Sequence, residues 1–184
     1  VLTSICDLDI GGSQRVAEQC ALGYKRLGYQ SGVLALRGGG PREERLRKEG
    51  VLLFVAENER DAKDALTGVR EWNPDILHVH RVGLEDTETG PIIKEFHARG
   101  AKVIETNIFA RPDYSETERF IDLHIFISEW CLWKWDQWTS NFKERAPAVI
   151  IPNPVDCGSF YREGQEIATD FRRSIGISGD AFVF

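Results

Sequence analysis

Short apolar runs alternate with amphipathic stretches along this chain of 184 residues, and that alternation limits the fold more than any single motif. Runs rich in β-branched and apolar residues occur at 1–6 (VLTSIC), 29–36 (YQSGVLAL), 51–56 (VLLFVA), 75–80 (DILHVH), 101–106 (AKVIET), 123–128 (LHIFIS) and 148–152 (AVIIP). Between them, helical spacing is predicted over 13–27, 41–49, 60–72, 89–100 and 129–143. Over 13–27 the apolar positions Val16, Ala17, Cys20, Ala21, Tyr24 and Leu27 recur at three- and four-residue steps, with Ser13 placed to cap the start and Gly28 to end the helix. Continuously apolar strands joined by helices of this length predict an α/β fold: an open, doubly wound, mostly parallel sheet with helices on both faces.

The pattern changes after residue 151. PNPVDCGSFYREG is turn-rich and aperiodic, as a linker is. Beyond it Ile167, Phe171 and Ile175 predict a short helix ended by Gly176, and AFVF begins an apolar strand. The expected organisation is an N-terminal domain over 1–151, a linker over 152–165, and over 166–184 the start of a second, truncated domain. The chain opens on Val1 and contains no methionine, so a short leader is expected before it.

The net charge of -6 argues against a nucleic-acid partner, because phosphate backbones are held by clustered Lys and Arg. The densest basic stretch, PREERLRKEG (41–50), interleaves acids with bases and reads as a solvated helix face. Cys6, Cys20, Cys131 and Cys157 show neither C-x-x-C nor zinc-finger spacing, so buried reduced thiols are expected. No apolar run reaches the roughly 18 residues of a membrane span, and a cytoplasmic protein is expected. Peripheral contact with a membrane stays compatible with the composition.

In an open parallel sheet, ligands bind beyond the carboxyl ends of the strands. Four places qualify. Gly11 and Gly12 permit close approach of a ligand at a helix start, with Arg15 one turn in, although GGSQRV is neither G-x-G-x-x-G nor a P-loop and a plain tight turn is the alternative. His80 and Arg81 lie at the exit of the fourth run; His78 shares a strand face with His80 and is expected to be a satisfied core histidine. No third residue completes a metal set with this pair, and no metal or other cofactor is expected. Thr106 to Arg111 supplies Asn107 and Arg111, with Asp113 close by, and Ser128 to Trp130 supplies Glu129; Asn and Asp are also ordinary turn formers. In EWCLWKWDQW, the spacing puts Cys131, Trp135, Trp138 and Phe142 on a core stripe. Trp130 and Trp133 lie off it, and burial is expected for them too, with stacking on a sugar ring as the alternative.

Together GGSQRVAEQCALGYKRLGYQSGVLAL, PDILHVH, AKVIETNIF, IFISEW, VIIPNPVDCGSF and FRRSIGISGDAFVF, in this order, resemble the N-terminal half of the retaining glycosyltransferases of family 4. Those enzymes have two facing Rossmann-like domains, the GT-B architecture. The resemblance implies a nucleotide-sugar donor held mainly by a second domain, absent here, and a carbohydrate or other hydroxyl acceptor held by this one. The donor is a substrate, not a cofactor. Gly11 and Gly12 would correspond to the loop that approaches the donor phosphates and sugar, and His80 would line the acceptor side. Asn107 stands where many members have a histidine contacting the donor sugar, and an amide takes no proton near neutral pH. Arg81, Arg111 and Glu129 complete the candidate acceptor or sugar contacts. The acid pair and basic residues that hold the diphosphate in that family lie in the second domain, so no catalytic residue is assigned and the chain alone is expected to transfer no sugar. The alternatives are a non-catalytic glycan- or protein-binding module and a nicotinamide-dependent oxidoreductase, the latter lacking its dinucleotide fingerprint.

Overall fold

A computed structural model of the chain describes residues 1–83, 88–142, 145–157, 171–178 and 180–182. Two compact units are present, Val1–Pro154 and Val155–Phe184. In the first, seven strands form one sheet in the order β3-β2-β1-β4-β5-β6-β7, every pair parallel. They are β1 (Leu2–Ile5), β2 (Gly32–Ala35), β3 (Leu52–Val55), β4 (Ile76–Arg81), β5 (Lys102–Asn107), β6 (Leu123–Phe126) and β7 (Ala148–Ile150). The order reverses between β1 and β4, which makes their carboxyl ends the switch point of the fold.

Helices α1 (Gly12–Arg26) and α2 (Glu43–Lys48) cover one face; α3 (Glu59–Trp72), α4 (Thr89–Ala98) and α5 (Glu129–Thr139) lead into strands on the other side of the reversal and cover the opposite face. Side chains alternate along each strand, so β1 and β2 send Ile5, Val33 and Ala35 to Ala17, Ala21 and Leu22 of α1, and Leu2 and Leu34 to the α3 and α4 side with Val69 and Phe96. Both layers are dry, which is why the strands read as unbroken apolar runs.

Local chemistry accounts for most helix ends. Asn58 accepts hydrogen bonds from the N–H groups of Arg60 and Asp61 to start α3, and Asn73 in the left-handed region (φ 52) ends it before Pro74. Ser128 caps α5 by accepting from the Cys131 N–H. Ser13 does not cap α1. The N-cap is Gly11, in extended conformation with no side-chain bond, and its carbonyl accepts from Arg15 at 3.0 Å; Ser13 already lies inside the first turn. Periodicity could not anticipate the short 3-10 helix Glu116–Phe120, which is hydrogen-bonded at its start by the Ser115 hydroxyl.

The tryptophan stretch departs from expectation. Cys131, Trp135 and Thr139 form the buried line, whereas Trp130, Trp133 and Trp138 are each more than half exposed. α5 lies over β6 and β7 at the edge of the sheet, where only one narrow stripe finds a neighbour. Helix α5 also stops at Thr139, and residue 143 of its predicted span lies outside the described ones.

In the second unit, residues 171–174 are helical and Gly176 (φ 74) closes the turn, with Phe171 and Ile175 both exposed. Ile167 and residues 158–165 of the expected linker lie outside the described residues, as do 183–184 of the expected strand. Residues 181 and 182 are in no strand.

Candidate functional site

A cleft of about 390 Å³ opens at the switch point, lined by Ile5 and Cys6 at the end of β1, Leu36 and Arg37 after β2, His80 and Arg81 at the end of β4, Ser13 of α1 and Thr89 of α4. Of the sequence candidates, His80 and Arg81 line it directly. Gly11 and Gly12 adjoin it through Ser13, and Asn107 adjoins it through Ile108. Arg111 and Glu129 are exposed and outside its lining, the Arg111 guanidinium stacking 5.3 Å from the Phe109 ring.

At the glycine turn, no atom of the described residues fills the space a Cβ of Gly12 would take, whereas the Gln14 side chain occupies that beside Gly11. The loop already contains anions, however. Burial alone would raise the Asp7 carboxyl, but hydrogen bonds from Cys6, the Asp9 N–H and Gln14 hold it below its ordinary 3.8. Arg42 fastens this loop, donating to the carbonyls of Asp9 (3.1 Å) and Gly11 (3.3 Å) and pairing at 2.7 Å with Glu18, itself 4% exposed. The sequence placed Arg42 on a solvated helix face. The structure corrects this, because Pro41 and Arg42 form a turn ahead of α2 that lays the guanidinium over α1.

His80 forms the buried part of the cleft, 6% exposed, and neither ring nitrogen has a hydrogen-bond partner among the described residues. Burial, reinforced by neighbouring His78, pushes its pKa well below 6.5. A neutral imidazole offers one donor and one acceptor, the pairing a hydroxyl needs. His78 is the satisfied core histidine expected, bonded at Nδ1 to the Tyr24 hydroxyl (2.9 Å) and at Nε2 to the Thr106 hydroxyl (2.8 Å).

Arg81 is placed differently from a ligand contact. Its guanidinium is 2% exposed and pairs with Glu105 at 2.8 Å and Asp113 at 2.6 Å. Glu105 also meets His124 at 2.6 Å, and His124 meets Glu118 at 2.8 Å. Alternation explains this: Arg81, Glu105 and His124 occupy one face across β4, β5 and β6, opposite the face carrying His78 and His80.

Asn107 is likewise engaged, its amide donating to the Arg111 carbonyl (2.7 Å) and accepting from the Arg111 N–H (3.2 Å), which closes the loop after β5. Gly83 packs against this closure at φ 77, and a Cβ there would strike the Arg111 carbonyl and the Asn107 amide. Gly83→Ala is therefore expected to lower the unfolding free energy by about 1–3 kcal/mol. Urea unfolding checks this, and an unchanged midpoint would contradict the packing described.

Among the described residues, two groups of side chains have metal-ligand character. Glu105, Glu118 and His124 are engaged with one another and with Arg81. In the other group Cys20 joins His78 and His80, supplying the third residue that the sequence did not reveal. Burial raises the Cys20 thiol to about 11.

No protein-family model and no curated protein matches the chain. Among solved structures it is similar to a glycosyltransferase from Rickettsia africae ESF-5, with a TM-score of 0.63 at 17% identity. The match covers 94% of this chain and 48% of that one, so the chain spans about half the length of the structure it resembles. The likeness is one of fold, an open Rossmann-like α/β sheet. Among the described residues, no helix is long and apolar enough to cross a membrane.

Proposed function

We propose that the chain is the acceptor-side domain of a retaining, nucleotide-sugar-dependent glycosyltransferase of GT-B type and family 4. The observation that carries this reading is His80, a neutral imidazole with two unpartnered nitrogens in the cleft at the β1/β4 switch point. A similar fold in a glycosyltransferase, extending over about half of that enzyme, supports a partner domain facing this one.

In such a transfer the sugar leaves its diphosphate through an oxocarbenium-like state, and the acceptor hydroxyl must be held close to the same face. His80 would hold an acceptor hydroxyl through a single hydrogen bond at the ring nitrogen that faces the cleft. The turn at Gly11 and Gly12 would add N–H groups to a diphosphate held elsewhere. With Asp7 inside the same loop, it completes a phosphate site and does not make one alone. No proton transfer falls to Asn107, whose amide is engaged by Arg111.

The test is a donor screen with the full-length gene product, reading nucleoside diphosphate release with and without glycan acceptors. Acceptor-dependent release is expected, and His80→Ala should raise the acceptor KM about five- to tenfold while leaving the donor KM unchanged. The 184-residue chain by itself is expected to release nothing. If no nucleotide sugar is hydrolysed or transferred by the full-length protein, the reading fails.

A further inference from the structure

We propose that Cys20, His78 and His80 form a binding site for a thiophilic divalent cation of the zinc class, between α1 and the central strand β4. The site lies under the cleft, and it does not depend on the glycosyltransferase reading.

The fold brings the three residues together by simple geometry. His78 and His80, two apart on β4, share the face that α1 covers, and their rings lie 4.4 Å apart. Cys20 stands on α1 one turn before Tyr24, whose hydroxyl touches His78. One donor atom from each residue lies within 4.8 Å of the other two. Three points so spaced have a common centre within about 2.8 Å of each, and a contraction of at most about 0.5–0.8 Å gives metal bonds of about 2.0–2.3 Å.

A second observation points to a ligand independently. Among the described residues, both nitrogens of His80 are buried without a partner, and so is the hydroxyl of Thr3, which lies directly across from His78 in the β1–β4 register. Buried polar groups are normally paired, and these two unpaired side chains on the sheet face that α1 covers mark a place built for something else. A cation bonded to one His80 nitrogen removes that deficit.

The donor set also selects the ion. One thiolate and two imidazoles suit zinc and its neighbours, not magnesium or calcium, which prefer oxygen. His78 would bind through Nδ1, the nitrogen that faces α1, with the Tyr24 hydroxyl moving aside. Its Nε2–H keeps the bond to the Thr106 hydroxyl, an outer-shell bond of the kind that orients a ligating histidine. On binding, the Cys20 S–H bond breaks, the proton passes to solvent and a sulfur–metal bond forms. Cys20 is only partly buried, which leaves the ion a route in. With one His80 nitrogen on the metal, the other must carry the ring proton. The cation would therefore fix His80 as a donor towards the cleft.

Cobalt(II) titration of the whole 184-residue chain, kept reduced with a phosphine, tests this by absorbance. The expected result is one equivalent bound, with a thiolate-to-cobalt charge-transfer band that zinc abolishes on displacing the cobalt. Cys20→Ser should remove the band and weaken binding by about 100-fold or more, Thr106→Val should weaken it about tenfold, and Cys157→Ser should change neither. Circular dichroism of metal-free Cys20→Ser checks that the variant folds; if it does not, His80→Gln takes its place, with loss of binding expected. No charge-transfer band in the folded parent chain, or a band that survives in Cys20→Ser, overturns the proposal. Neither result bears on sugar transfer, because no sugar substrate enters the experiment.

Discussion

Replacing Arg81 with alanine is expected to cost about 3–5 kcal/mol of unfolding free energy, the range seen when one partner is removed from a buried ion pair. The guanidinium is 2% exposed, and Glu105 and Asp113 beside it are each 1% exposed. Without Arg81 those carboxylates stay in the interior, short of a cation and out of reach of water. The penalty comes chiefly from the stranded acids, not from the lost attraction, since a buried pair repays little more than its own desolvation. Arg81→Met with Asp113→Asn should therefore destabilise less than the sum of the two single changes, by about 1 kcal/mol or more. Urea unfolding of the parent, the two single variants, the double variant and Arg81→Ala measures this. Additive effects, or a loss below about 1 kcal/mol for Arg81→Ala, would show that the network does not hold β4 to the loop after β5.

Stability is also expected to fall as the pH rises from about 6.5 to 9, by an amount on the order of 3 kcal/mol, because of His124. Burial alone would lower its pKa. Hydrogen bonds and attraction from Glu105 on β5 and Glu118 on the 3-10 helix outweigh burial and raise the pKa to about 9 from an ordinary 6.5. Arg81 also pairs with Glu105, and Trp135 of α5 packs on the His124 ring at 4.9 Å. A raised folded-state pKa means the native protein binds the proton more tightly than the unfolded chain does. The resulting stabilisation is whole below pH 6.5 and is lost as the pH climbs through 9. Unfolding at a series of pH values, compared with His124→Gln, isolates this contribution from other titrating groups. A difference between the two proteins that does not change with pH over that interval would rule out a protonated His124 in the native state.

Much of the architecture could be read without coordinates, for a physical reason. Strand and helix periods are local properties, and dry β strands between helices of moderate length admit few arrangements other than a parallel sheet covered on both faces. So all seven strands followed from the apolar runs, and His80 from lying at the end of one of them, whereas the strands that flank the reversal were seen only in the sheet order. The details that failed depended on distance from the core. Trp130, Trp133 and Trp138 were read as buried because helical spacing says nothing about whether a helix lies over the centre or the edge of a sheet.

The sequence by itself determined the order of the elements, the face each presents, and which residues stand where strands end. Only the tertiary structure decided their partners. Arg81 looked like a ligand contact from its position, yet strand alternation turns it towards Glu105, and the β4–β5–β6 register lines up Glu105 with His124. Asn107 likewise closes its own loop, and Arg42 clamps the glycine turn through Glu18. Cys20 reaches His78 and His80 because α1 packs over β1, and β4 is the strand beside β1 in the sheet, which brings distant parts of the chain together. Periodicity fixes where a side chain points; strand order and register fix what it meets.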